Sequence, residues 1–293
     1  MFLAVKNTGR CNKSCWYCSD CSPVDMDKER VLELYQQKNP NSMLLIGGEP
    51  MILGVDYYKW LLDNGVKFAM QTNLTLYNSE WDKVFTHPNF TGLSVSGDKE
   101  QESTFLTKLV MLQESTTLKP LVLVILWSKE LALKWYEYAK LFGFPLKFNY
   151  LLPIGRLKGR EISLSGYFDI MTDLVEVWDP AVEVEPVSSL YEYFRGSNTR
   201  VCPYTDCLHG QVDILSVEPD GAEFFCCALS SLRMTKEEFL SKHFSLDPNC
   251  LVCDYYQLCR GCIVRNSMIN GDPSYCKSIK GFFDAIRRKA NAR

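Results

Sequence analysis

No run of this chain reaches eighteen consecutive apolar residues, so no membrane-spanning helix is expected. The opening residues lack the basic start, apolar stretch and small-residue cleavage site of a signal peptide. Charge of either sign is scarce in excess: the formal net charge is −3, which leaves no electrostatic footprint for nucleic acid. Histidine is nearly missing. His87, His209 and His243 form no spaced ligand set, and turn or surface positions suit them. Cysteine is absent from the whole stretch between Cys21 and Cys202.

Elsewhere cysteine is abundant. Of 13, four fall at positions 11 to 21 and nine at positions 202 to 276, a split that suggests two modules. Disulfide frameworks serve short secreted chains without adequate cores, whereas these 293 residues are 46% apolar and carry no export signal. Clustered cysteines in a reducing compartment bind metal, and a cytoplasmic protein is expected.

Between the two groups, short apolar runs alternate with amphipathic segments. Strands are predicted at Phe2 to Lys6, Ser42 to Ile46, Lys67 to Thr72, Gly92 to Ser96, Leu121 to Leu126 and Leu146 to Leu151. Near-continuous apolar character is the mark of parallel strands covered on both faces. Helices are predicted over Lys28 to Gln37, Tyr57 to Asp63, Lys99 to Gln113 and Lys129 to Leu141. Six such strands with helical crossovers imply a wound parallel α/β sheet, curled into a partial barrel or left open. Loops at the C-terminal ends of the strands form the active face. The segment Trp178 to Pro186 reads as a linker or irregular connection, with a domain boundary near residue 200.

The loop after the first strand reads CNKSCWYC, with Cys11, Cys15 and Cys18 in a C-x₃-C-x₂-C run. Three thiolates on a four-iron cluster leave one iron open to another ligand. This run resembles the cluster loop of radical S-adenosylmethionine (radical SAM) enzymes. The resemblance implies that SAM chelates the open iron and is cleaved reductively to methionine and a 5′-deoxyadenosyl radical. Tyr17 matches the family's aromatic position beside the adenine. Gly47, Gly48, Glu49 and Pro50 (GGEP), after the second strand, resemble the segment that binds the methionine amino group of SAM. QTN (Gln71 to Asn73) and SVSGD (Ser94 to Asp98) end the third and fourth strands like the family's TNG and SLDG segments, and Ser94 would contact the SAM ribose. Leu74 stands where relatives have glycine, and Ser96 where they have aspartate. LPIGR (Leu152 to Arg156) resembles the segment leading out of the barrel.

The C-terminal cysteines resemble the SPASM domain, which binds auxiliary clusters in enzymes that modify peptides and proteins. The implied architecture is a partial (β/α)6 TIM-like barrel over residues 1–200 and a cysteine-rich domain over 201–293. By position, Cys202, Cys207, Cys226 and Cys262 would hold one auxiliary [4Fe-4S] cluster, and Cys250, Cys253, Cys259 and Cys276 a second. Two residues separate Cys259 from Cys262 where the family has three. C-x₂-C pairs also suit tetrahedral zinc, so a pair of zinc sites is the competing reading. Cys227 stands where sulfatase-maturing relatives carry an aspartate proposed as the base, and a catalytic thiol there is the matching hypothesis. Cys21 is expected to pack in the cluster loop.

The resulting expectation is a radical SAM oxidoreductase that oxidises or crosslinks a peptide or protein, fed by reduced flavodoxin or ferredoxin. The first strand starts at residue 2, which argues against a preceding leader-binding domain, and Cys227 argues against a standard sulfatase-maturing enzyme. Dehydrogenation or epimerisation of a small sugar or aminocyclitol is the alternative. An iron-sulfur electron carrier without enzymatic activity is the alternative from another class.

Overall fold

A computed structural model describes residues 2–18, 22–97, 102–150, 163–197, 214–225, 229–230, 233–235, 237–238, 241, 248–259 and 274–292. Its strands are β1 (Phe2–Thr8), β2 (Met43–Gly47), β3 (Phe68–Thr72), β4 (Phe90–Gly97), β5 (Leu121–Ile125), β6 (Leu146–Asn149), β7 (Val184–Glu185), β8 (Ile214–Val217) and β9 (Glu223–Phe224). The main helices are α1 (Lys28–Lys38), α2 (Val55–Asp63), α3 (Asp82–Phe85), α4 (Glu102–Ser115), α5 (Lys129–Phe142), α6 (Leu164–Val177) and α7 (Val187–Phe194). They are followed by the single turns α8 (Pro248–Leu251) and α9 (Tyr256–Cys259), and by α10 (Tyr275–Asn291). All six predicted strands and all four predicted helices are present, with ends moved by three residues or fewer.

The chain packs as two compact units. The first holds Met1–Leu123, Ile154–Arg156 and Asp213–Lys236. Here β1 lies parallel between β2 and β8, with Val5 registered against both Leu45 and Val217. β3 follows β2 and β4 follows β3, all parallel. At the other end β9 turns back antiparallel on β8 and pairs with no further strand among the described residues, so the sheet they form is open and not a closed barrel. Leu3, Ala4 and Val5 are completely buried, as strands covered on both faces require. The crossovers are short amphipathic helices. Asn39, in the left-handed conformation, ends α1 by donating its backbone N–H to the Tyr35 carbonyl.

The second unit holds Val124–Pro153, Leu157–Val212 and Glu237–Arg293. In it β6 pairs parallel with β7. The Ser128 hydroxyl caps the start of α5, and the Ser163 hydroxyl caps that of α6. The apolar face of α10 packs on α6 and α7 through Ile279, Phe282, Phe283 and Ile286, with the Phe282 and Phe168 rings 5.5 Å apart. Lys289 donates from Nζ to the Val175 carbonyl at 2.7 Å, placing a cation at the C-terminus of α6. The segment Trp178 to Pro186 is an irregular connection packed into this unit. Trp178 is buried, its indole N–H bonds the Val182 carbonyl at 2.8 Å, and Val184 enters β7. An apolar side chain every few residues overrides the acidic, proline-punctuated composition.

Candidate functional site

The site grows out of β1. Its last residues, Asn7 and Thr8, are wholly buried, and the chain leaves the sheet at Gly9. A Cβ on Gly9 would lie 2.0 Å from the Ser22 hydroxyl, so only glycine lets the two ends of the loop meet. The ends are then sewn together: Gly9 N–H donates to Val24 O at 2.8 Å, Ser22 N–H to Gly9 O at 2.9 Å, and Met26 N–H to Asn7 O at 2.9 Å. Asp25 adds a polar knot, accepting from the Thr8 hydroxyl at 2.6 Å and from the Arg10 guanidinium at 3.0 Å. Burial pushes the Asp25 carboxyl up, but the Arg10 and Thr8 hydrogen bonds and the Arg10 charge outweigh it and hold it below the usual range.

Cys11, Cys15 and Cys18 ride on this pinned loop as half-buried thiols. A turn from Cys18 N–H to Cys15 O at 3.2 Å brings the second and third onto successive corners, and Lys13 N–H points at the Cys11 sulfur at 3.4 Å. Among the described residues no three His, Cys, Asp or Glu side chains are gathered closely enough to hold a metal ion. The triad thus shares one loop without converging on a single point. Tyr17 is half-buried and meets Trp16 edge-on at 5.5 Å.

The GGEP segment locks under the loop. Gly48 N–H donates to Thr8 O at 2.9 Å and Glu49 N–H to Arg10 O at 2.7 Å. A Cβ on Gly47 would fall 2.1 Å from Thr8 O, and one on Gly48 the same distance from Arg10 O. The room that both glycines leave is filled by backbone of the cysteine loop. Glu49, 0% exposed, is the hub of the turn: its carboxylate accepts from Met51 N–H at 3.0 Å, the Thr72 hydroxyl at 2.6 Å and Asn73 N–H at 2.7 Å. Burial dominates these three donors and raises its pKa above the usual carboxylate value.

The end of β3 reaches the loop as well. Asn73 donates from Nδ2 to Asn12 Oδ1 at 2.9 Å, and Asn12 in turn donates to the Thr75 hydroxyl at 2.8 Å. Leu74, which follows the TNG-like end of β3, adopts φ 61°, a left-handed conformation natural to glycine. Its side chain is 1% exposed, and that burial offsets the strain. Ser94 sits half-buried on β4, its hydroxyl donating to Met70 O at a long 3.4 Å. Beneath the site the Tyr58 hydroxyl, fully buried, accepts from Asn7 Nδ2 at 2.8 Å and donates to Pro50 O at 2.7 Å. Tyr58→Phe should therefore cost about 1–3 kcal/mol, since it strands two buried polar groups. Equilibrium denaturation of the variant checks this, and an unchanged stability would contradict it.

Cys250 and Cys253 are half-buried, with Cys253 N–H bonded to Cys250 O at 3.2 Å, and Cys276 is exposed in the first turn of α10. The backbone of Cys259 closes α9. Cys21, Cys202, Cys207, Cys226, Cys227 and Cys262 lie outside the described residues, as do Asp98 and the LPIGR segment. The polar partners Asn12, Thr72, Asp25 and Tyr58 were not foreseen. Nor was the ion pair of Lys6 with Glu218 at 2.9 Å, although a lone lysine inside the apolar FLAVKNT run was a visible signal.

With a cysteine loop fastened to the glycine turn of the next strand, at the C-terminal edge of an open parallel α/β sheet, this chain resembles the radical SAM class of enzymes. Its homologues are anaerobic sulfatase-maturating enzymes. The cysteine-type enzyme of Clostridium novyi (strain NT) is 23% identical over 351 aligned positions, covering 94% of this chain and 92% of the relative. That of Clostridium perfringens (strain 13 / Type A) is 24% identical over the same shares. The serine-type enzyme of Klebsiella aerogenes is 32% identical, but over only 30% of this chain and 27% of its own. In fold, the chain resembles Streptococcus suis SuiB, solved with S-adenosylmethionine (TM-score 0.62, 14% identity, 88% of this chain and 72% of that one) and with its precursor peptide SuiA (TM-score 0.60, 15% identity, 88% and 70%). No protein-family model matches the sequence. Among the described residues no helix is long and apolar enough to cross a membrane. Members of this class use SAM and a [4Fe-4S] cluster, and the three thiols on the pinned loop supply the ligand type of that group, although they are not gathered on one point in this structure.

Proposed function

We propose that this enzyme oxidatively modifies a side chain of a peptide or protein. The observation that carries the reading is homology along nearly the whole chain to enzymes named for maturing a protein, the sulfatase, supported by the likeness in fold to SuiB solved with a precursor peptide.

In this reading Cys11, Cys15 and Cys18 hold the SAM-binding cluster. When bound, that cluster supplies the electron that cleaves SAM and so starts hydrogen-atom abstraction from a substrate carbon. The sewn base of the loop keeps the three thiols on one short segment, so that loading the cluster has only the tip of the loop to draw together. Gly47 and Gly48, spent sterically on the loop, present the turn to the methionine end of SAM. Glu49 acts from inside by holding the end of β3 to the turn, and Pro50 is held by Tyr58. Tyr17 and Ser94 address the adenine and ribose.

Loss of a hydrogen atom from the substrate must be followed by loss of a proton and a second electron if the net result is oxidation. Cys227 is assigned the proton. A thiol's ordinary pKa of about 8.5 lies close enough to neutrality for a modest downward shift to make it a base. Cys202, Cys207, Cys226 and Cys262, and Cys250, Cys253, Cys259 and Cys276, are assigned to two auxiliary clusters in a domain over 201–293, which would accept the second electron. Reduced flavodoxin or ferredoxin is assigned as the electron donor.

The test is to reduce the iron-loaded enzyme, add SAM and candidate peptides bearing deuterium at a cysteine or serine Cβ, and look for deuterium in 5′-deoxyadenosine together with a loss of one deuterium and one hydrogen, about three daltons, from the oxidised peptide. Deoxyadenosine that stays unlabelled with every peptide would defeat the reading. Cys227→Ser should lower product formation at least about tenfold while iron content stays unchanged. Normal turnover would remove Cys227 from the mechanism.

A further inference from the structure

The hairpin β8–β9 is short, four residues and then two, and parallel pairing with β1 offers few hydrogen bonds to define its register. It is staked instead by ion pairs. Lys38 on α1 meets Glu223 on β9 at 3.0 Å, and Arg233 meets Asp220 at the hairpin tip at 3.0 Å. Both are exposed and weak. The third differs. Lys6 on β1 reaches both oxygens of Glu218, at 2.9 and 3.1 Å, with side chains only 22% and 9% exposed. The Ser230 hydroxyl donates to the same carboxylate. This pair falls one residue beyond the last registered pair, Val5 with Val217.

A buried charge pair discriminates between registers more sharply than apolar contacts do, because every wrong register strands a charge. A slip by one residue would turn Glu218 to the other face of the sheet. A slip by two would put Ser216 or Asp220 beside Lys6, leave Glu218 buried without its cation, and move the hairpin by about 7 Å. Position matters here for two reasons. Cys226 and Cys227 follow β9 by two and three residues. Lys6 and Glu218 also stand with Gly9, Ser22, Gly48 and Arg233 around a cavity of about 260 Å³, so the hairpin faces the base of the cysteine loop and its glycine turn.

We propose that Lys6 and Glu218 are positioning residues whose ion pair locks the register of the β8–β9 hairpin on β1, and thereby holds the hairpin against the base of the cysteine loop and its glycine turn. The expected loss of a cluster rests on the reading of Cys226, next along the chain, as an auxiliary-cluster ligand.

The full chain, anaerobically loaded with iron and sulfide, would be compared as wild type, Lys6→Met, Glu218→Gln and the charge swap K6E/E218K. In each, hydrogen exchange would be followed at the amides of Ile214–Val217, along with iron per chain and the paramagnetic resonance spectrum after reduction. Either single variant should speed exchange in β8 at least about tenfold. It should also lose about four iron atoms and one cluster signal, the signal that SAM does not perturb. The swap, which restores attraction, should recover both. Should Lys6→Met be insoluble, Glu218→Gln carries the same expectations as an isostere of the native side chain.

Wild-type exchange in β8 and a wild-type spectrum in a single variant would overturn the lock. So would a folded swap that recovers neither property. A wild-type chain that loads only about four iron atoms would instead defeat the auxiliary-cluster reading. The exchange rates in β8 would then still decide for or against the lock.

Discussion

Cys15→Ala should reduce 5′-deoxyadenosine formation from SAM by at least ~1,000-fold, to the uncatalysed background, with a loss of about four iron atoms per chain. The same result is expected for Cys11→Ala and Cys18→Ala, because a cluster already short of one protein ligand has no thiolate to spare. The fold should survive each change. All three cysteines lie outward of the base formed by Gly9, Ser22, Val24 and Met26, and no strand pairing runs through them. Circular dichroism and gel filtration of the variants, beside iron content and deoxyadenosine yield, separate a lost cluster from a lost fold. A variant that kept its iron and its SAM cleavage would end the assignment of that cysteine.

Glu49→Ala should have the largest effect on stability. It removes the acceptor of Met51 N–H, Thr72 Oγ1 and Asn73 N–H at once, and each stranded donor costs about 1–3 kcal/mol on its own. These losses share one site and do not add fully, so about 3 kcal/mol is expected. That corresponds to a fall of roughly 6–12 °C in the melting temperature of the unit that contains it.

Glu49→Gln refines the test through pH. The folded-state pKa of Glu49 is raised, so the fold holds its proton more tightly than the unfolded chain does. Its contribution is therefore complete below the ordinary carboxylate pKa and is lost as pH rises through the raised value. Glutamine does not titrate, so the stability gap between wild type and Glu49→Gln should narrow from acid toward neutral pH. Denaturation curves at several pH values check this, and a gap that widened with pH would reverse the assigned balance of burial over hydrogen bonding.

Much of the fold could be read from hydrophobic pattern alone. Runs such as LVLVIL and KFAMQT allow few conformations besides a strand buried on both faces, and the helices between them show the 3.6-residue period. The short β7, β8 and β9 escaped notice, because two to four residues carry no usable period. The helix over Leu164–Val177 also escaped, although its buried Leu164, Tyr167, Phe168, Met171, Leu174 and Val175 recur at helical spacing with Asp169, Asp173 and Glu176 exposed on the other side. Trp178 to Pro186 was legible as an irregular connection, but its charges and prolines gave no sign that Trp178 and Val184 are buried.

The chemistry proposed for the site rests on ligand type and spacing, which are local properties of the chain. Cys11, Cys15 and Cys18 lie within eight residues of one another, and GGEP follows one β/α unit later, so no knowledge of packing was needed to propose a cluster loop and its neighbouring turn. What GGEP does required three dimensions. Its glycines make room for the carbonyls of Thr8 and Arg10, and its glutamate turns inward to hold β3. Lys6 with Glu218, 212 positions apart, was beyond reach for the same reason. A contact between residues distant in sequence depends on which strands the sheet places side by side, and that choice is made by the burial of many apolar side chains together and cannot be seen in any short motif.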